Sequence, residues 1–462
     1  MKYISTRGQA PELTFEEAIL TGLARDGGLY LPDSIPQMST DEIAALSGQS
    51  YEEIAFRVMW PFVNGSFGEQ EFREIIARAY KGFGHAARAP LKQLDQNHFL
   101  LELFHGPTLA FKDFAMQLIG QLFQVALKRR GERVTIIGAT SGDTGSAAIE
   151  AFRGLDAVDV FILYPHGRIS EVQRRQMTTP PDTNVHALAM DGDFDDCQAA
   201  VKDMFNDFAF RDEVRLAGVN SINFARVLAQ VVYYFSSAVS LGAPQRKISF
   251  TVPTGNFGDI FAGYIAQQMG LPIDRLVVAT NQNDILHRCL SGQGYHKGDT
   301  VPSISPSMDI QVSSNFERAL FFAYDRDAGA VAQLMDELKS GGFDLSQGAQ
   351  QALAENYDSG RASEDETLST IRETLSSSGE LVCPHTAVGI KVAQEHRQTA
   401  VPMITLATAH PAKFPTAVQD ASGIHPPLPP RLADLYERSE RVTRIENDLG
   451  AIQNHIKGHI AN

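Results

Sequence analysis

The chain has 462 residues, 43% hydrophobic and 21% charged, and this length allows roughly two to four domains. A net charge of −15 argues against nucleic acid or an anionic membrane as a partner. Three widely separated cysteines, and histidines without metal-ligand spacing, predict neither disulfides nor a metal site. We see no secretory signal and no run of about 20 apolar residues, so we expect a cytoplasmic protein without membrane spans.

Residues 1–88 predict an N-terminal domain that is mostly helical. The amphipathic patterns YEEIAFRVMWPF and EQEFREIIARAY indicate helices, and the turn-forming stretch KGFGHAARAP marks the end of the domain.

Residues 89–462 alternate short apolar runs with helical patterns, which is typical of α/β folds with open parallel sheets covered by helices. We expect two such α/β domains, with a smaller subdomain over about 113–215 set within the larger one. An acidic segment over about 315–378 predicts a helical insertion. The predicted strands are residues 99–104, 133–139, 158–165, 184–190, 247–253, 274–280 and 401–408.

Lys112 is the first residue with a chemical signal, because it lies in LAFKDFA, directly after the turn formers HGPT. Desolvation disfavours the charged form of a lysine among apolar neighbours. Such a lysine either extends to solvent or serves as a neutral amine.

Three strand ends add candidate ligand sites. The TGNFGD turn, residues 254–259, can aim backbone N–H groups at a phosphate, or it is an ordinary strand-to-helix turn. The TSGDT turn, residues 140–144, can hold a small anion, or its side chains only cap the next helix. Thr408 ends the last predicted strand and Lys413 follows it, at the edge where α/β sheets bind ligands, although the alternative is a solvated loop.

A neutral lysine, a phosphate turn and a further anion site together indicate pyridoxal 5′-phosphate bound through a Schiff base.

The ordered motifs resemble those of one family over nearly the whole chain. YISTRG, HGPTLAFKDFA, ATSGDTGSAA, PTGNFGD and ATAHPAKFP are similar to the motifs of the threonine synthases, pyridoxal-phosphate enzymes of fold type II (the tryptophan-synthase-β-like group). The match is to the longer members, which carry an extra N-terminal domain. NSINFAR, residues 220–226, is also typical of the family, with no role that the residues reveal.

The resemblance implies a role for each residue that matches a motif. Lys112 would form the Schiff base, and the hydroxyl of Thr408 would face the pyridine nitrogen. The cofactor phosphate would bind to Gly255, Asn256, Phe257, Gly258 and Asp259.

The implied reaction is that of a carbon–oxygen lyase, in which O-phospho-L-homoserine and water give L-threonine and phosphate. We hypothesise that the substrate α-carboxylate binds to Thr140, Ser141, Gly142, Asp143 and Thr144, with the Asp143 side chain pointing away to cap its helix. A second hypothesis assigns the substrate phosphate to Ser313, Asn315 and Lys413, together with Arg318. We expect the protein to be a monomer or a homodimer.

Two other functions stay open on the sequence alone. A related phospholyase or dehydratase would eliminate without hydrating, and would release a keto acid and ammonia. A non-catalytic relative would keep the cofactor only for sensing or scaffolding, although the intact Lys112, residues 254–259 and Thr408 argue against this.

Overall fold

The computed structural model describes residues 1–218 and 221–460. Its strands are β1 (Tyr3–Ser5), β2 (Tyr30–Pro32), β3 (Leu91–Gln93), β4 (His98–Glu102), β5 (Val134–Ala139), β6 (Val158–Pro165), β7 (Val185–Met190), β8 (Leu216–Ala217), β9 (Ile248–Pro253), β10 (Ile273–Thr280), β11 (Tyr295–His296), β12 (Gly342–Phe343), β13 (Tyr357–Arg361), β14 (Met403–Ala407) and β15 (Thr443–Ile445).

Helices lie between most successive strands. They are α1 (Phe15–Thr21), α2 (Thr40–Ala44), α3 (Tyr51–Val63), α4 (Glu69–Tyr80), α5 (Lys112–Arg130), α6 (Asp143–Phe152), α7 (Glu171–Thr178), α8 (Phe194–Asn206), α9 (Phe208–Glu213), α10 (Phe224–Ser240), α11 (Gly258–Gln268), α12 (Ile285–Leu290), α13 (Phe316–Ala323), α14 (Ala328–Lys339), α15 (Gln347–Asn356), α16 (Glu364–Ser378), α17 (Pro384–His396), α18 (Pro415–Ser422) and α19 (Leu449–His459). Within residues 1–218 and 221–460, no helix has both the length and the apolar character that a membrane crossing needs.

The N-terminal segment is mostly helical, as the patterns predict, but it also contains an antiparallel pair, β1 with β2. It is joined to α13 by two side chains of that helix. Arg7 forms an ion pair with Glu317 at 2.9 Å, and Arg318 donates to the Tyr30 carbonyl oxygen at 2.7 Å. Both partners on α13 are buried, so these contacts fix the segment against the rest of the chain.

The larger sheet has the strand order β13-β10-β9-β14-β4-β3, and its strands are parallel except for the edge strand β3. The strand predicted over 401–408 is its central β14, between β9 and β4. The edge strand β13 was not predicted from the sequence, and it lies in the segment expected to be a helical insertion. Its YDSGR sequence lacks the apolar alternation by which a strand is detected.

The smaller sheet has the order β15-β7-β6-β5-β8 and is parallel throughout. Its three central strands are those predicted over 133–139, 158–165 and 184–190. Residues near the end of the chain add the edge strand β15, which no sequence pattern of three residues could have predicted. Two open parallel α/β sheets are thus confirmed.

The candidate motifs meet because they all follow carboxyl ends of parallel strands. Helices α5, α6 and α11 begin soon after β4, β5 and β9, and Thr408 comes directly after β14. Helix α10, buried along most of its length, packs against α5 and α11 from behind. Sheet topology therefore brings four distant motifs to one place.

Candidate active site

One cavity is lined by residues that follow strands of both α/β sheets. Of the residues singled out from the sequence, the structure brings to it Lys112, Asp143, Thr144, Gly255, Asn256, Phe257, Gly258, Asp259 and Thr408. It places Thr140, Ser141, Gly142, Ser313, Asn315 and Lys413 outside the lining. Among the described residues, no three His, Cys, Asp or Glu side chains are grouped as a metal ion would require.

Lys112 is the first residue of α5, and its side chain points into the protein and not to solvent. It is 9% exposed, and its Nζ lies 3.5 Å from Asp143 Oδ2. Burial lowers the pKa of Lys112 and the nearby Arg226 adds to this effect, while Asp143 opposes it. The arrangement therefore favours a lysine that gives up its proton readily, as the neutral-amine interpretation requires.

Asp143 lies between two lysines. Its Oδ1 forms an ion pair with Lys413 Nζ at 2.8 Å and accepts a hydrogen bond from Gln173 Nε2 at 2.9 Å. Burial alone would raise the pKa of Asp143, but Lys413 and Lys112 outweigh it and hold that pKa well below its usual range. The prediction that Asp143 caps its helix is wrong, because its carboxylate oxygens face Lys112, Lys413 and Gln173, and Thr140 accepts the hydrogen bond from the Gly145 N–H in the first turn of α6.

The first residues of the TSGDT turn shape the loop. Thr140 Oγ1 accepts hydrogen bonds from the N–H groups of Gly142 and Gly145, both at 2.9 Å. Gly142 has φ 135°, and a Cβ there would clash with the Gln173 side chain. Only glycine fits this position, and the turn it makes leaves Asp143 and Thr144 on the cavity.

The turn before α11 forms a cradle for an anion. Phe257 has φ 62°, an unfavourable conformation for a bulky residue, and it directly precedes α11. A Cβ at Gly255 would lie 2.6 Å from the Ser307 carbonyl oxygen, so only glycine allows this approach. In the described chain, the N–H groups of residues 256–259 make no backbone hydrogen bond. Unpaired amides at a helix N-terminus suit a phosphate, so these residues fit the cofactor that the sequence implies.

Asp259, at the start of α11, has an unusual carboxyl group. The hydroxyls of Tyr233 and Tyr234 both donate to its Oδ1, while Oδ2 is buried and has no partner among the described residues. Burial raises the pKa of Asp259 to about 7, although the two tyrosine hydrogen bonds oppose this. Near neutral pH the group therefore exists partly as the uncharged acid, which does not repel a phosphate.

Ser313 and Asn315 lie behind the cradle. Ser313 Oγ donates to the Gly255 carbonyl oxygen at 2.6 Å, and Asn315 Nδ2 donates to the Asn256 carbonyl oxygen at 2.9 Å. Arg318, fully buried, donates to the Tyr30 and Ile222 carbonyl oxygens. These contacts support the loop from outside the cavity. Binding of the substrate phosphate by this group stays a prediction without a contact that favours it.

Lys413, assigned to the same phosphate, is also held elsewhere. Its side chain is 0% exposed, and its ammonium group contacts Asp143 and donates to the Thr108 carbonyl oxygen at 2.8 Å. The structure therefore favours Lys413 as the counter-ion of Asp143.

Arg226 is a cavity residue to which the sequence analysis gave no role. It is 5% exposed, and its Nη1 has no hydrogen-bond partner among the described residues. Burial lowers the pKa of Arg226 to about 10, with Tyr233 opposing. The sequence feature that could have identified Arg226 is the presence of an arginine in the largely apolar helical run FARVLAQVVYYF. Asn220, the first residue of the NSINFAR motif, lies outside the described residues.

The fold and the site define a class of protein. Residues 85–403 match the model of the family described as pyridoxal-phosphate dependent enzymes. Residues 2–80 match the threonine synthase N terminus, and residues 386–456 match the threonine synthase C-terminal model. The chain belongs to the threonine synthase family.

Full-length relatives agree with these matches. A threonine synthase of Pseudomonas aeruginosa is 56% identical, with 99% of this chain and 98% of the relative covered. The crystal structure of a threonine synthase from Brucella melitensis with bound pyridoxal phosphate has a TM-score of 0.98 at 56% identity, with 99% of both chains covered. That of the yeast threonine synthase has a TM-score of 0.94 at 40% identity, covering 99% of this chain and 98% of that one.

The two hypotheses for Lys413 predict different effects of Lys413→Met. As the counter-ion of Asp143, its loss leaves a buried carboxylate with one cation fewer, and we expect a loss of about 3 kcal/mol in stability. Chemical unfolding measures this change. Lys339→Met is the matched control, because Lys339 pairs with Asp336 in solvent and the loss of this exposed pair should leave stability nearly unchanged. Unchanged stability with a raised KM would contradict our assignment and support a phosphate contact.

Asp259→Asn should change how stability depends on pH. Because the folded pKa, about 7, lies above the ordinary value of 3.8, the unfolded chain loses this proton first as pH rises. The free energy of unfolding therefore falls between these two pH values in the cofactor-free protein, by about 4 kcal/mol from this group alone. Asparagine keeps the acceptor for the tyrosines and abolishes the titration. We expect the free energy of unfolding of the variant, minus that of the wild type, to increase as pH rises across this range. Chemical unfolding at several pH values measures both quantities.

The exposed Asp365→Asn is the matched control and should follow the wild-type profile. Parallel profiles for wild type and Asp259→Asn would show that Asp259 is ionised throughout, contrary to this prediction.

Proposed function

We propose that this protein converts O-phospho-L-homoserine and water into L-threonine and phosphate, using pyridoxal 5′-phosphate as its cofactor. One observation carries the proposal. A buried lysine of lowered pKa shares a cavity with an amide cradle and with Arg226, whose Nη1 has no hydrogen-bond partner among the described residues. The relatives named as threonine synthases over their full lengths support the same reaction.

The cofactor, when bound, withdraws electrons from the substrate and acidifies its C–H bonds. We assign its covalent attachment to Lys112 and its phosphate to residues 255–259. The hydroxyl of Thr408 is assigned to the pyridine nitrogen. A hydroxyl, unlike a carboxylate, does not hold a proton on that nitrogen, so the other contacts of the site must stabilise negative charge that develops on the substrate.

Lys112 is also the proposed acid and base. The reaction removes protons from the α- and β-carbons, breaks the γ-carbon–oxygen bond, and adds water at the β-carbon. An amine whose pKa is lowered by burial accepts such protons near neutral pH and returns them to carbon later. Asp143, 3.5 Å from Nζ, orients the amine and stabilises its protonated form.

The substrate carries two anionic groups that need separate partners. For the α-carboxylate, we propose the Thr144 hydroxyl and the N–H groups at the start of α6, with Thr140, Ser141 and Gly142 shaping that turn. For the phosphate, we propose Arg226. The cations that line the cavity in the described chain are Lys112 and Arg226, and Lys112 is committed to the cofactor.

Every residue assigned here comes from one chain, so the proposal needs no partner subunit. Three free, buried cysteines are in keeping with the cytoplasmic location proposed from the sequence.

A direct assay tests the reaction. Purified protein loaded with pyridoxal phosphate is given O-phospho-L-homoserine, and threonine, phosphate and ammonia are measured separately. Equal amounts of threonine and phosphate are expected. Phosphate with ammonia and a keto acid would instead establish the phospholyase or dehydratase alternative, and absence of all products would support a non-catalytic relative.

Lys112→Ala should lose both the covalent link and turnover. The wild type should gain the mass of reduced pyridoxal phosphate after borohydride treatment, measured on the peptide that contains Lys112, and the variant should not. Lys128→Ala, at the exposed end of the same helix, is the control and should retain both properties. A label on another lysine would contradict the assignment.

Arg226→Met should weaken binding of the substrate phosphate and spare the cofactor. Charge-assisted hydrogen bonds are worth about 1.5–3 kcal/mol, so KM for O-phospho-L-homoserine should rise about 10- to 100-fold. Cofactor absorbance should be unchanged. Arg168→Met, at an exposed position, is the control. A variant with normal KM and weak cofactor binding would instead assign Arg226 to the cofactor phosphate.

A further inference from the structure

His385 is a buried cavity residue that the proposed reaction does not yet use. It is the second residue of α17 and is 3% exposed. Its Nε2 accepts a hydrogen bond from the Ser307 N–H at 3.1 Å, and its ring packs on Phe414 with 4.7 Å between centroids. These contacts fix the position of the ring and its orientation.

The same contacts fix the proton on the ring. A neutral imidazole whose Nε2 accepts a hydrogen bond carries its hydrogen on Nδ1. Burial lowers the pKa of His385 to about 4; Lys112 on α5 and Lys413 in the segment after β14 act in the same direction, while Asp143 on α6 opposes them. The ring is therefore neutral at the pH of the cytoplasm, with an N–H group at Nδ1.

That N–H group is unpaired within residues 1–218 and 221–460. Nδ1 is buried and makes no hydrogen bond to the described residues, although the side chain lines the cavity. A buried donor left unpaired costs free energy, so an acceptor is expected when the cavity is filled. The described chain offers no such acceptor, and the expected ligands are anions.

We propose that His385 Nδ1–H donates a hydrogen bond to an anionic oxygen bound in the cavity, and so positions that group without taking part in proton transfer. This inference rests on the proposed function for the identity of the ligands. The oxygen belongs either to the phenolic group of the cofactor or to the substrate.

Two substitutions separate the proposed Nδ1–H donor from the contact between Nε2 and the Ser307 N–H. In His385→Gln, the longer amide oxygen can still accept from Ser307 N–H, but no donor remains at the Nδ1 position. In His385→Asn, the shorter amide places an N–H near the Nδ1 position and gives up the contact with Ser307. We expect His385→Gln to lose at least about tenfold in the affected binding constant, and His385→Asn to recover most of it.

Three measurements identify which oxygen is bound. If the cofactor oxygen is the acceptor, His385→Gln shifts the visible absorption and weakens pyridoxal phosphate binding, while inhibition by inorganic phosphate stays normal. If a substrate oxygen is the acceptor, KM for O-phospho-L-homoserine rises, while absorption and cofactor binding stay normal. In that case, weaker inhibition by inorganic phosphate shows that the oxygen belongs to the substrate phosphate, and normal inhibition shows that it belongs to another part of the substrate. Wild-type values throughout for His385→Gln, or equal losses in both variants, would overturn the proposal.

The tautomer has a test that needs no turnover. Nitrogen NMR of ring-labelled histidine, assigned by comparison with His385→Gln, should show the proton on Nδ1 and no titration from about pH 6 to pH 9. A ring that titrates in this range would overturn the proposal. If the wild type fails to release phosphate from O-phospho-L-homoserine, the proposed function fails, whereas the cofactor and phosphate binding measurements still decide the role of His385.

Discussion

The active site depends on one buried carboxylate, Asp143, held between the ammonium groups of Lys112 and Lys413. A charge buried in a protein is tolerated only when opposite charges and hydrogen bonds compensate it. These three residues belong to α6, α5 and the segment after β14, so one electrostatic requirement fixes three elements that are far apart along the chain. It explains why an acidic side chain can lie on a cavity that must accept anionic ligands.

A second constraint acts on the phosphate cradle, which stores unfavourable backbone geometry at Phe257. Such strain persists only where neighbouring contacts hold the backbone in place. Ser313 and Asn315 hold the carbonyl oxygens of Gly255 and Asn256, while the N–H groups of residues 256–259 make no backbone hydrogen bond within the described chain. Ser313 and Asn315, which the sequence predicts as ligands of the substrate phosphate, thus have a structural reason to be polar, which is to orient the loop proposed to bind an anion.

The sequence predicted the parallel sheets and the meeting of Lys112, residues 255–259 and Thr408, because apolar runs mark strands and parallel strands share one carboxyl edge. It could not predict β13 or β15, whose short or polar sequences gain stability only from the neighbouring strand. Partners of buried charges were also hidden. Nothing in AHPAKFP distinguishes a lysine paired with Asp143 from one that binds substrate, since the distinction lies in a residue far away in sequence.

The choice of donors in the cavity has a consequence for Lys112. Among the donors proposed for the ligands, Arg226 carries one full charge, whereas the cradle amides and the neutral His385 carry no net charge. Additional fixed cations would lower the pKa of Lys112 further and prevent it from holding a proton between transfers. With neutral donors, the bound anions themselves control whether Lys112 is protonated. Each anion that binds raises the pKa of this amine, and each one that leaves lowers it. In the proposed reaction, departure of phosphate would then favour release of a proton from Lys112 to the substrate, at the stage when carbon must accept one.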